Sequence, residues 1–296
     1  MGFTFAFVAM IFFATNIMLT RYAVARMPVN TGFLIVLATN ILFPALLFPV
    51  ELGLREAPWS WNWKAAAMFA LAGVIGTFLG RRFLFDAVRL LGPSRASVFH
   101  STAPAFALVG AWLLADERLG WYEIGLMAVV WAGLWFTQPR AHAVPGEVKP
   151  AAISRGMLAG LMTVAGFGIG NVVRGLAMRD WNEAVLGTVL ASSTALVFQL
   201  LATRDWKNIV AQFHAADRTA IWLYVGCGVS TSLGAIFVAL AMNHMEIALA
   251  VLVVHTTPLV IFPVSVFILR NKEELNSRTV LGALMVLSGI ALIAFR

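Results

Sequence analysis

The chain has 296 residues, 60% of them hydrophobic and 12% charged, against roughly 25% charged in a soluble domain. That composition excludes a water-soluble fold, and because the longest polar run is the short segment 138–149, it also excludes a soluble domain carried on a single anchor. The net charge of +7 would suit nucleic acid, but a membrane protein needs lysine and arginine in its cytoplasmic loops for orientation alone, so no nucleic-acid partner is read. The single cysteine, Cys227, forbids an intrachain disulfide and a cysteine-ligated metal centre, and no cofactor or metal is implied.

A bilayer core takes about 20 apolar residues per helix, and ten runs of that length follow one another. They cover 2–21, 30–50, 64–85, 94–114, 120–138, 155–175, 183–203, 218–240, 246–269 and 277–295. The first run lacks a basic segment before Phe3 and exceeds the usual signal-peptide core, so it reads as a helix. The connections leave no room for an extramembrane domain, and any function must lie among the helices. Lysine and arginine favour the odd-numbered loops over the even loops and termini, twelve to five. That places the odd loops in the cytoplasm and both termini outside.

Sliding the sequence against itself exposes a duplication. Gly80, Ala87, Ala96, Thr102 and Pro104 recur 154 positions later as Gly234, Ala241, Ala250, Thr256 and Pro258. Glu117, Leu119 and Gly133 recur at 156 as Glu273, Leu275 and Gly289, and Asn16 recurs at 155 as Asn171. The halves, 1–150 and 151–296, each hold five helices. An odd number forces the second half to enter the membrane from the opposite side, so the fold class is an all-α polytopic membrane protein of ten transmembrane helices in two inverted repeats. Such repeats recur in secondary transporters, with cargo at the midplane and access alternating between the faces.

The stretch AVRLLGPSRASVFHSTAPAFALVGAWLLADERL and its second copy, ALAMNHMEIALAVLVVHTTPLVIFPVSVFILRNKEEL, resemble the hallmark segments of the EamA family of the drug/metabolite transporter superfamily. In the first helix Ala14, Thr15, Asn16 and Arg21 stand where that family often carries W-G-x-N followed by lysine, with Phe13-Ala14 in place of Trp-Gly. The resemblance covers essentially the whole chain. It implies a multi-pass inner-membrane carrier, similar in overall character to the YddG-like exporters of aromatic and other neutral amino acids.

The residues themselves point the same way. No carboxylate falls at mid-membrane, whereas a carrier of lipophilic cations needs one as a buried counter-charge, so cationic drug efflux is disfavoured. Polar and basic groups do enter the helices: Asn16 and Arg21 in the first, Arg81 and Arg82 in the third, Asn171 and Arg174 in the sixth. A guanidinium fork binds a carboxylate through two parallel hydrogen bonds and an amide holds either end of a zwitterion. Arg81 and Arg82 are read as snorkelling to the headgroups.

His100 and His255 precede Pro104 and Pro258 deep in their helices. They are the internal groups able to carry a proton, although no carboxylate accompanies them as a relay. The prolines each remove a helical hydrogen bond and are expected to bend a gating helix, with Thr102 and Thr256 bonding to local backbone and Gly80 and Gly234 allowing close packing. The expected substrate contacts are Asn16, Arg21, His100, Thr102, Asn171, Arg174, His255 and Thr256. No HExxH, GxSxG or paired intramembrane aspartates support an enzyme. The reading is a monomeric carrier of zwitterionic or anionic small molecules, exporting neutral amino acids by alternating access. Phosphorylated metabolites such as nucleotide sugars are the alternative cargo.

Overall fold

The structure is a computed structural model. It describes residues 1–54, 59–91, 96, 99, 102–118, 120–137, 150–263 and 277–294. All regular structure among them is helical. In chain order the helices are α1 (Gly2–Val24), α2 (Val29–Gly53), α3 (63–91, with a π-helical segment at Gly73–Gly80), α4 (Ala103–Leu114) and α5 (Trp121–Thr137). The second half follows with α6 (Pro150–Asp180), α7 (Ala184–Ala202), α8 (Trp206–Ala215), α9 (Arg218–Met242), α10 (Ile247–Val254), α11 (Pro258–Pro263) and α12 (Ser277–Ala294). Six of them are long and apolar enough to cross a membrane, and four shorter apolar helices accompany those.

Several boundaries differ from the sequence expectation. The third run continues to Leu91 and the sixth extends from Pro150 to Asp180, because charged side chains at a membrane surface do not stop a helix whose backbone bonds stay satisfied. The run 246–269 is interrupted: α10 stops at Val254, residues 255–257 form a turn, and Pro258 opens α11. The loop after α7 contains α8, whose Asp205 carboxylate accepts the Asn208 backbone N–H at 3.1 Å, an N-cap that satisfies an orphan donor.

The central layer is α10, in which every residue from Ile247 to Val254 is buried. A helix apolar on all sides needs protein all round, and α10 packs among α1, α4, α6 and α9. Large apolar side chains such as Leu46, Trp112, Leu113 and Trp222 lie exposed on the outer surface, the arrangement expected where the solvent is lipid. At one end Trp61 sits edge-on to Trp63 and Trp181, both with ring centroids 5.1 Å away, and the Trp181 indole N–H donates to the Ser60 carbonyl at 3.0 Å. Such a cluster suits the aromatic belt of a membrane interface.

Contacts between the halves come in mated pairs. A Cβ on Gly133 of α5 would meet the Gly282 carbonyl oxygen and Val286 of α12, and one on Gly289 of α12 would meet the Leu126 carbonyl oxygen and Val130 of α5. Each contact maps onto the other when every residue is displaced by 156 positions, and the two helices run antiparallel. Likewise Gly73 of α3 abuts Thr194 of α7, and Gly228 of α9 abuts Thr39 of α2, mates at a displacement of 155. A leucine at Gly133 or Gly289 would separate α5 from α12.

At the end of the bundle where α1 stops, Arg26 pairs with Asp217 at 2.8 Å. The Asp217 carboxylate also accepts the Ala220 N–H at 2.6 Å, capping α9. That backbone bond, then the Arg26 guanidinium, hold the Asp217 carboxyl below its usual range. A depressed carboxyl stabilises the fold above its unfolded pKa of about 4, and the contribution disappears as pH falls through the folded value. Asp217→Ala should therefore lower the Tm of the detergent-purified protein at neutral pH. The gap from wild type should close as the scan moves below about pH 4.

Candidate functional site

The helix α6 holds the polar pair expected from the sequence. Gly166 and Gly170 pack against α3 at Gly80 and Gly76, while Gly168 and Gly175 pack against Phe106 of α4 and Ile247 of α10. At 3.6 residues per turn, Asn171 and Arg174 fall on the strip between those packed faces. Both are half-buried, and an Arg174 Nη1 donates to Asn171 Oδ1 at 3.3 Å. No carboxylate among the described residues pairs with Arg174. The guanidinium therefore keeps donors free, oriented by one amide.

Asn16 lies half-buried in α1, where the Cys227 thiol of α9 approaches its carbonyl at 3.9 Å. No hydrogen bond joins Asn16 to Asn171 among the described residues. Arg21 is exposed in the last turn of α1, with no polar partner among them. His100 lies outside the described residues.

The proline sites are duplicated in detail. Thr102 Oγ1 donates to the Phe99 carbonyl at 2.7 Å and Thr256 Oγ1 to the Val253 carbonyl at 2.6 Å, mates at a displacement of 154. Each hydroxyl occupies a carbonyl that the interrupted ladder leaves open. Pro104 lies within the first turn of α4 and Pro258 opens α11, so the prolines start new helical segments and are not bends inside continuous helices. Thr256 is fully buried and also contacts Met10 Sδ of α1 at 3.1 Å. His255 Nδ1 lies 2.8 Å from the Val251 carbonyl, a local bond within α10. Gly80 abuts Phe167 of α6 and Gly234 abuts Phe13 of α1, which places this glycine pair at crossings between the halves.

Replacing Pro258 with alanine supplies the missing N–H and lets α10 continue into α11. The variant should equal or exceed wild type in Tm while its transport rate falls, measured on the same purified sample. Unchanged transport would remove the α10–α11 break from the working cycle.

Three features were not expected from the sequence. Arg81 does not stand at a helix end: α3 runs ten residues beyond it, and its guanidinium lies 4.6 Å from the centroid of the Phe33 ring. Arg82 is exposed. Glu117, in the connection before α5, has a side chain only 5% exposed. It accepts the backbone N–H of Ile247 at 2.7 Å and of Ala248 at 3.3 Å while pairing with Arg179 at the end of α6. One carboxylate from the first half thus caps α10 and holds α6 in the second. The third feature is a cavity of about 500 Å³ at that end of the bundle, lined by residues that include Arg179, Asn243, His244 and Glu246. None of the predicted substrate contacts lines it.

Every described carboxylate lies in a connection or within about two turns of a helix end. Among the described residues no group of three His, Cys, Asp or Glu side chains is placed to hold a metal ion.

The model of the EamA-like transporter family matches residues 1–138 and again 154–295. A crystal structure of a protein 16% identical to this chain superposes with a TM-score of 0.73, covering 99% of this chain and 97% of the other, a likeness of fold. No curated protein is similar to the chain at a significant level. The twofold match over nearly the whole length, on a bundle of apolar helices, gives a family of transporters and not of enzymes. The chain is a multi-pass membrane protein of the EamA-like transporter family, in the drug/metabolite transporter superfamily, that moves small molecules across a lipid bilayer.

Proposed function

We propose that the protein exports small neutral amino acids or related zwitterionic metabolites by alternating access between two inverted repeats of five membrane helices, residues 1–150 and 151–296. The observation that carries the cargo class is the Arg174–Asn171 pair, half-buried on α6 with free donors and no carboxylate partner among the described residues. A free guanidinium in a low-dielectric setting attracts an anionic group and repels a permanent cation. Asn171 lies about 13 Å from the end of α6 and Asn16 about 12 Å from the end of α1, so inverted halves give the two amides similar depths from opposite faces.

The mated antiparallel contacts of α5 with α12 support the inversion, since a twofold axis relating antiparallel helices lies across them. The matched proline breaks supply two points where the helical ladder is already open, one in each half. The reading places a monomer in the inner membrane with the lysine-rich and arginine-rich odd loops in the cytoplasm.

Purified protein in liposomes, offered labelled neutral amino acids, phosphorylated metabolites and organic cations, tests the cargo. Saturable flux of a neutral amino acid, inhibited by other zwitterions and not by a quaternary ammonium compound, is expected. A phosphorylated compound as best substrate would transfer the arginines to phosphate recognition. A quaternary ammonium compound as best substrate would overturn the reading of the site.

A further inference from the structure

The two halves differ by one residue in the helices α3 and α9. Gly73 and Gly228 are structural mates, each against a threonine, Thr194 and Thr39, at a displacement of 155. Gly80 and Gly234, each against a phenylalanine of the opposite half, match at 154, as do Ala87 and Ala241 further on. Seven steps separate Gly73 from Gly80 and six separate Gly228 from Gly234. The extra residue falls inside Gly73–Gly80, the segment that is π-helical, whereas α9 is α-helical throughout Arg218–Met242. A π segment is how an α-helix absorbs one inserted residue, and such segments gather at functional sites.

The residue that follows the insertion is Arg81. Its counterpart at 154 is Ala235, so this cation belongs to one half alone. One inserted residue turns everything beyond it by about 100°, and this turn sets Arg81 on the inner side of α3. There its guanidinium covers Phe33 of α2, which is 3% exposed, and comes within electrostatic reach of Cys227 of α9. Thr20 of α1 lies 3.4 Å from the Cys227 sulfur. Arg81 therefore stands where α1, α2, α3 and α9 of the two halves converge, and no hydrogen-bond acceptor or carboxylate pairs with it among the described residues. Antiparallel packing pairs Gly80 with Phe167 and Gly76 with Gly170, which puts Arg81 about eight residues, or 12 Å along α6, from Arg174.

We propose that Arg81 is a second group that holds the anionic end of the cargo, aimed into the path by the one-residue insertion. Arg174 and Arg81 then form two successive stations for a carboxylate, one on each side of the midplane. The proposal rests on the cargo reading given above, with the chemical class narrowed to compounds bearing a free carboxylate.

The test compares transport of an amino acid with that of its carboxamide by wild type, Arg81→Gln, Arg81→Lys, Phe33→Leu and a deletion of Val74, all purified and reconstituted. Wild type should favour the carboxylate. Arg81→Gln should raise KM for the carboxylate about tenfold and leave the carboxamide unchanged, while Arg81→Lys should keep part of the preference. The Val74 deletion retains the charge but restores the α9-like spacing, so it should behave as Arg81→Gln. Phe33→Leu should lower folded yield without abolishing discrimination. If Arg81→Gln keeps wild-type KM and wild-type discrimination, the guanidinium only packs on Phe33 and the proposal fails while the cargo reading stands. If wild type carries no carboxylate compound at all, the cargo reading fails and takes the proposal with it.

Discussion

Glu117→Ala is expected to lower the stability of the purified protein by about 2–4 kcal/mol, the largest loss foreseen for a single side chain outside the apolar core. The carboxylate occupies two orphan N–H groups at the start of α10, Ile247 and Ala248, and neutralises Arg179. Its removal leaves both donors buried without a partner, since the site excludes the water that would otherwise replace it. The value stays below that of a fully buried pair because the Arg179 side chain is 36% exposed. Glu117→Gln keeps an amide oxygen for one N–H and should recover about half the loss. Thermal or denaturant unfolding in detergent checks both variants, and a Tm unchanged in Glu117→Ala would show that α10 is not held from this end.

Arg174→Gln should reduce kcat/KM for zwitterion flux by about 10–100-fold, the range of one or two charge-assisted hydrogen bonds. Asn171→Leu should reduce it less, about 5–10-fold, because the amide orients the guanidinium at 3.3 Å and is not the charge itself. Leucine on a membrane-spanning helix carries no folding cost, so yield and Tm should hold while transport falls. Asn16→Leu should act in the same sense, measured in the same vesicles. Wild-type flux from both asparagine variants would remove the amides from the site.

Much of the fold is legible in the sequence because lipid leaves the backbone few options: a long apolar run must close its hydrogen bonds within itself. The duplication is legible too, since Gly133 and Gly289 or Thr102 and Thr256 keep their spacing wherever the same crossing is built twice. The Asn171–Arg174 pair is readable as an i, i+3 neighbour on one helix. The Glu117 tie is not, because its partners lie 130 residues away in the chain and only the packed bundle brings them together. Arg81 is a different case. Read beside a helix ending near residue 85 it is a snorkelling side chain, and only the extension of α3 to Leu91 and the π segment turn it inward. The slip from 155 to 154 between Asn16 and Gly80 was already present in the sequence, but a one-residue offset has no location until Gly73 and Gly228 are seen in matched contacts. The break at His255–Thr257 is likewise unmarked in the sequence beyond the proline itself, which permits a kinked helix as readily as two segments.

The most direct test of the central claim, a carrier whose two halves expose one site to each face in turn, is trans-stimulation. Vesicles containing the purified protein are preloaded with an unlabelled neutral amino acid, and initial uptake of the labelled compound is followed over a range of external concentrations. The account predicts saturable uptake, accelerated by the preload because the loaded carrier returns faster than the empty one, and uninhibited by a quaternary ammonium compound. Uptake that rises linearly with concentration and ignores the preload would contradict it and identify an open pore.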